Sequence, residues 1–172
     1  MTEENPIPLF KVFMSDDAIN LTSEVLSSGY VTQGPEVEKF EQKLKNYFSN
    51  ESVVSVNSAT SGLHLIFHML KNFGLGPEKV KIDSMDDYIL TTPLTCTASN
   101  WPILSNDLNL KWVDVDPNTC NMSLDDLESK LNKNTKAVLV VHWGGYPVDL
   151  DRLKSIQQNF KEKYGFKFVI IE

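Results

Sequence analysis

The chain has 172 residues, 41% of them apolar, enough for one domain with a real core. Acidic residues outnumber basic ones 23 to 16, and the net charge of −7 argues against a nucleic-acid footprint. The apolar runs are too short to span a bilayer, and the opening "MTEENPIPLF" lacks the basic-then-apolar order of a signal peptide. Cys96 and Cys120 make no metal-ligand pattern; without an export signal they read as reduced thiols of a cytoplasmic protein.

The elements follow in chain order. "SDDAINLTSEVLSSG" predicts a helix capped by Ser15 or Asp16 and stopped by Gly29. After the loop "YVTQG", "PEVEKFEQKLKNYF" predicts a second helix. Pro35 sits at its first position, acids fill its first turn, and Val37, Phe40, Leu44 and Phe48 share one face. Val53–Asn57 predicts a strand. The helix after it carries Leu63, Ile66, Phe67 and Leu70 at helical spacing. "GLGPEKVKIDSMDD" is a longer polar excursion. Strands are then predicted at "YILTTP", "LKWVDVD", "KAVLVV" and "FKFVIIE". Helices between them fall at "ASNWPIL", at "SLDDLESKL" with a capping-box-like Ser123 and Asp126, and at "DLDRLKSIQQNFKEKY" with Leu153, Ile156 and Phe160 inward.

This alternation predicts an α/β fold, a mainly parallel sheet with helices on both faces. Ligands of such sheets sit beyond the carboxyl ends of the strands. That rule selects four loops: "NSATSG", "TTPLTCT", "VDVDPNT" and "VHWGGYP".

"NSATSG" lies where a helix begins. A helix start offers unpaired N–H groups and the positive end of a dipole. Small residues admit a ligand to the backbone, and Ser58, Thr60 and Ser61 add hydroxyls, so the loop suits a phosphate. The plainer reading is that Ser58 or Thr60 merely caps the helix. The loop is neither a glycine-rich dinucleotide fingerprint nor a Walker-type motif, so a mononucleotide or a phosphorylated cofactor fits it better. In "VHWGGYPVDLD", His142 and Trp143 are candidates to flank a ligand, Gly144 and Gly145 permit a tight turn, and Asp149 most simply caps the next helix. His64 and His68 read as packing or surface residues, and Asp114 and Asp116 as part of a turn. The residues suggest no metal site.

Five stretches in order, "SGYVTQGPEVEKFEQKLKNYF", "NSATSGLHL", "TTPLTCTASNWPIL", "WVDVDPNTCNMSLDDLESKLNKNTKAVLVVHWGGYPVDLDRL" and "FVIIE", resemble the N-terminal half of the DegT/StrS-type sugar aminotransferases. These are fold-type-I enzymes that use pyridoxal 5'-phosphate (PLP). The resemblance implies that residues 1–172 are the N-terminal part of the PLP-binding domain. Residues 1–50 would form a helical segment and 51–172 an incomplete large domain, with "GPEKVKIDSMDD" an insertion. It also implies that Ser58, Thr60 and Ser61 hold the cofactor phosphate and that Cys96 stands where the family places an aromatic ring against the pyridine. His142 and Trp143 would flank the cofactor and substrate, and Thr32 would line the substrate entrance. The implied substrate is a nucleotide-linked keto-sugar, the amino donor glutamate, and the full-length assembly a homodimer in the cytoplasm, with no nucleic-acid or membrane partner.

Two groups of the family's chemistry have no counterpart here: the Asp that follows "VIE", and the later lysine that carries the cofactor as a Schiff base. The expectation is a fragment or split half, inactive alone, with no catalytic residue of its own. Two alternatives stand beside the aminotransferase: a PLP-dependent sugar dehydratase of the same family, with His at the lysine position, and a non-catalytic binding module. The resemblance further implies that Val53–Asn57 is a strand that pairs with neither "YILTTP" nor "FKFVIIE", which leaves "FKFVIIE" at an edge.

Overall fold

A computed structural model describes residue 8 and residues 10–172. The acidic opening that argues against a signal peptide lies, but for Pro8 and Phe10, outside the described residues. The chain divides into two compact units between Ser55 and Val56, five residues later than the sequence boundary at residue 50.

The first unit is helical. α1 spans Ala18–Ser28 and ends on Gly29 in the left-handed region, as the sequence predicts. Its start is set by Asp17, with no side-chain cap, so neither Ser15 nor Asp16 caps it through its side chain. α2 spans Pro35–Phe48, with Pro35 at its first turn. Neither helix buries a residue, and Phe40 and Phe48 are exposed. After α2 the chain turns back, and the Glu41 carboxylate accepts both the N–H and the hydroxyl of Ser55 at 2.8 Å.

Val53–Asn57 is not a strand. It belongs to no ladder, and Val54 is 76% exposed. The β-branched run promises extended backbone, and the backbone needs a neighbouring strand to become part of a sheet. The expected strand order, in which this segment pairs with neither "YILTTP" nor "FKFVIIE", therefore has no strand here to apply to.

The second unit is a parallel sheet between two helical layers. β1 (Tyr88–Thr91), β2 (Asn109–Trp112), β3 (Thr135–Leu139) and β4 (Val169–Ile171) pair in the order β2-β1-β3-β4. Alternation along the strands sorts the core. Tyr88, Leu90 and Val138 face α5 (Leu124–Lys130) and α6 (Leu150–Tyr164), where Leu127, Leu153, Ile156 and Phe160 are buried. Ile89, Ala137, Leu139 and Ile171 face α3 (Ala59–Asn72) and α4 (Thr97–Leu104), with Phe67, Leu70 and Ile103. Both faces of the sheet are thus covered, which is why these strands read as continuous apolar runs.

The excursion after α3 is held at several points. Leu75 and Val80 form an antiparallel bridge, and Gly74 turns the chain at φ +78°, where a Cβ would stand 2.5 Å from the Lys79 carbonyl oxygen. Glu78 accepts from Lys161 Nζ and from the Lys167 N–H, each at 2.6 Å, which keeps its carboxyl below the ordinary range. Asp87, almost fully buried, accepts the N–H groups of Asp83 and Ser84 and pairs with Lys136.

Candidate functional site

The strand order fixes where a ligand belongs. β1 connects to β2 on one side through α4, and β2 returns past β1 to β3 through α5 on the other face. The direction therefore reverses between β1 and β3, and the crevice outside their carboxyl ends is the topological switch point. The loops that flank it are Thr92–Cys96 after β1 and Val140–Val148 after β3.

α3 enters from the same side. Its last turn lies at the amino end of the sheet: the Leu70 carbonyl accepts the Ile82 N–H, and the excursion that follows ties to Lys136 and Lys167 at the starts of β3 and β4. With 14 residues the helix is roughly 20 Å long, so its first turn reaches toward the carboxyl side. Ser58 caps it, accepting the Ser61 N–H at 3.1 Å, with the Ser58 and Ser61 hydroxyls 3.0 Å apart. The Gly62 N–H bonds the Ser58 carbonyl, while the N–H groups of Ala59 and Thr60 have no acceptor within the helix. The first turn carries no acid, unlike those of α2, α5 and α6. Three hydroxyls, two free amides and no opposing carboxylate fit a phosphate.

The β1 loop is set from below by a buried amide. Asn100 in α4 accepts from the Thr91 hydroxyl at 2.8 Å and donates to the Thr92 carbonyl at 3.0 Å. Thr91, Thr92 and Asn100 are all buried. Thr95 and Ser99 hydroxyls meet at 2.9 Å. Cys96, the residue before α4, has no side-chain cap bond, and its thiol is free and exposed.

The β3 loop is held from three directions. The His142 Nδ1 accepts the Val148 N–H at 3.0 Å, and its Nε2 lies 3.1 Å from Glu172 Oε2. A ring nitrogen that accepts an amide proton cannot carry its own, so the neutral ring keeps its proton on Nε2 and donates it to Glu172. The ring nitrogens are thereby occupied, and only the ring face is left to flank a ligand. Trp143–Gly145 form a short 3-10 turn with Gly144 at φ +60° and Gly145 at φ +81°, and Trp143 is 39% exposed. Asn121, from the loop after β2, accepts the Trp143 N–H at 2.8 Å and donates to the Tyr146 carbonyl at 2.9 Å.

Beside this turn lies a cleft of about 550 Å³, lined by Asp116, Asn121, Asp125, Tyr146, Asp149 and Arg152 among others. Its carboxylates outnumber its one guanidinium, which Asp125 already pairs, so an anion is better served at α3. Asp149 caps α6 by accepting the Arg152 N–H, as the sequence predicts, and Asp116 closes a turn on the Asn118 N–H. His64 bonds Ser105 and His68 bonds Asn72, both on the surface. Thr32 is exposed in the bend between α1 and α2. Asn100 and Asn121 were invisible as site residues in the sequence. An asparagine's partners lie elsewhere in the chain, and only its burial marks it out.

The sequence profile of the DegT/DnrJ/EryC1/StrS aminotransferase family matches residues 13–163. The chain belongs to this family. Within the DegT/DnrJ/EryC1/StrS relatives, it is 44% identical to the sugar aminotransferase CalS13 of Micromonospora echinospora. The TM-score is 0.81, over 96% of this chain and 42% of CalS13. It is 31% identical over 153 residues to the spore coat polysaccharide biosynthesis protein SpsC of Bacillus subtilis, which is 89% of this chain and 36% of SpsC. The PLP-form of Spr1654 from Streptococcus pneumoniae is 27% identical with a TM-score of 0.76, over 92% of this chain and 37% of that one. The chain thus spans between 36% and 42% of the length of these relatives.

Proposed function

We propose that the whole protein is a PLP-dependent aminotransferase that places an amino group on a nucleotide-linked keto-sugar, with glutamate as donor. The observation that carries this is the first turn of α3, an acid-free helix start with three hydroxyls, on the carboxyl side of a parallel sheet. The 44% identity to a protein described as a sugar aminotransferase supports the substrate class. PLP, when bound, supplies an electron sink. On this reading Ser58, Thr60 and Ser61 hold its phosphate by hydroxyl and amide donors. Cys96 faces its ring from the β1 loop, and a polarizable sulfur packs there with less area than an aromatic ring. His142 borders the ring with its face, while Trp143 meets the sugar side. The full-length assembly is taken as a cytoplasmic homodimer.

The same reading makes the 172-residue stretch inactive by itself. None of its lysines stands in the loops after β1, β2 or β3: Thr92–Cys96, Val113–Met122 and Val140–Val148 contain none. The lysine must come from the remainder of the enzyme.

The test is full-length protein mixed with PLP, glutamate and a panel of nucleotide-linked keto-sugars. Amino sugar and 2-oxoglutarate should form in equal amounts. Protein that binds PLP but releases no 2-oxoglutarate with any acceptor in the panel would sink the aminotransferase assignment.

A further inference from the structure

The loop that carries His142 and Trp143 makes few bonds of its own. Within Trp143–Tyr146 the only turn bonds are Gly145 N–H to the His142 carbonyl and Tyr146 N–H to the Trp143 carbonyl, each 3.0 Å. Two consecutive glycines at positive φ give that segment wide conformational freedom once it is unpinned. The outward N–H of Trp143 and the outward carbonyl of Tyr146 are both taken by one side chain, the amide of Asn121. Asn121 thus does for this turn what a neighbouring strand does for a ladder.

Asn121 is itself fixed. It is 4% exposed. Its N–H bonds the Thr119 hydroxyl at 3.3 Å and its carbonyl accepts the Asp116 N–H at 2.8 Å. Cys120 before it adopts φ +59°, and Met122 after it bridges Val115. The backbone makes a tight, bonded excursion at this point, and the result is an amide aimed at the next loop. A buried amide costs free energy unless its polar atoms are paired, so the arrangement has a preferred geometry. The β2 loop and the β3 loop are coupled through this residue alone of the two Asn side chains described above, since Asn100 serves the β1 loop.

We propose that Asn121 is a positioning residue for the sugar side of the site: its amide sets the Trp143–Tyr146 turn, and through it the placement of the Trp143 ring. This rests on the proposed sugar aminotransferase reading for its kinetic consequence, and on the hydrogen bonds alone for its structural one. Asn121 touches no reacting atom. Its loss acts by letting the turn move, so it weakens recognition of the sugar and leaves the reaction with the amino donor intact.

The test uses the full-length enzyme with Asn121→Ala and Asn121→Asp. The aspartate keeps the acceptor for the Trp143 N–H and loses the donor to the Tyr146 carbonyl, so it decides the matter if the alanine variant fails to fold. Hydrogen–deuterium exchange of the segment 141–147 should quicken at least tenfold in Asn121→Ala and less in Asn121→Asp. The KM for the keto-sugar should rise at least fivefold in the first variant and about twofold or more in the second. The rate of the half-reaction with glutamate and the affinity for PLP should stay within twofold. Unchanged exchange overturns the brace. Faster exchange with an unchanged sugar KM overturns the positioning role, and equal losses in both half-reactions mean a general fold defect, which overturns it too. If the wild-type protein binds no PLP, the cofactor reading falls, and the exchange measurement still decides whether Asn121 sets the turn.

Discussion

The Ser58 hydroxyl accepts the Ser61 N–H at 3.1 Å, so the seat's first serine is also the cap of α3. The two readings of "NSATSG", cap and phosphate seat, are therefore compatible, and they divide between residues. Thr60→Val in the full-length enzyme should weaken PLP by about 1–3 kcal/mol, the cost of a charge-assisted hydrogen bond. Ser58→Ala should in addition lower stability by about 1 kcal/mol through the lost cap. Equilibrium titration of apoenzyme and a denaturant curve separate the two. Unchanged PLP affinity in Thr60→Val would remove Thr60 from the site.

Cys96→Phe should tighten PLP. The thiol is exposed at the start of α4, and a ring in its place adds stacking area worth about 0.5–1.5 kcal/mol. The same titration reads it. Weaker binding would mean that the Thr92–Cys96 loop leaves no room for a ring over the cofactor.

Asn100→Ala should cost about 2–3 kcal/mol of stability, because it leaves the buried Thr91 hydroxyl and Thr92 carbonyl without their partner. A loss under half of that, in a urea melt of the full-length protein, would show that the β1 loop re-forms its bonds without the amide.

Asp126 supplies a pH signature. Its carboxylate accepts from Lys130 Nζ and from the Asp114 N–H, each at 2.6 Å, and these bonds hold its carboxyl below the ordinary aspartate range. The folded state therefore releases the proton more readily than the unfolded chain. The stabilisation is fully present above the unfolded value and is lost as pH falls through the folded one. Asp126→Asn should cost about 1 kcal/mol at neutral pH: the amide oxygen still accepts the Asp114 N–H but without the charge that strengthens that bond, and the lost Lys130 pair is solvent-screened. Wild type and variant should converge as the pH drops below about 4. A gap that persists in acid would mean the bond does not depend on charge.

Much of this was legible beforehand because it depends on periodicity. The spacing of Leu153, Ile156 and Phe160 places one face of α6 on the sheet, and all three are buried. Pro35 and Gly29 mark helix limits through backbone rules that no tertiary contact overrides. Val53–Asn57 misled for the opposite reason: a β-branched run states a backbone preference, whereas a strand is a relation between two segments. The capping box at Ser123 is half formed. Its hydroxyl accepts the Asp126 N–H, but the Asp126 carboxylate turns to Asp114, across the end of β2, instead of back to Ser123. The site's hydroxyls could be read because a helix start announces itself locally. Asn100 and Asn121 could not, because each bonds backbone that sequence distance hides.

The ties of Glu78 reach 83 residues ahead to Lys161 and 89 ahead to Lys167. On a ribosome those partners do not exist when Glu78 emerges. The excursion around it can close its own Leu75–Val80 bridge at once, but its anchorage must wait until α6 and the start of β4 have been made. Contacts of such long sequence separation form late, after the loop-closure entropy has been met by other pairings. The segment 74–87 is therefore the natural reporter of vectorial folding in this unit. A protease added to stalled chains should cut near Pro77 and Lys79 until the nascent chain has cleared residue 167, and should stop cutting there afterwards.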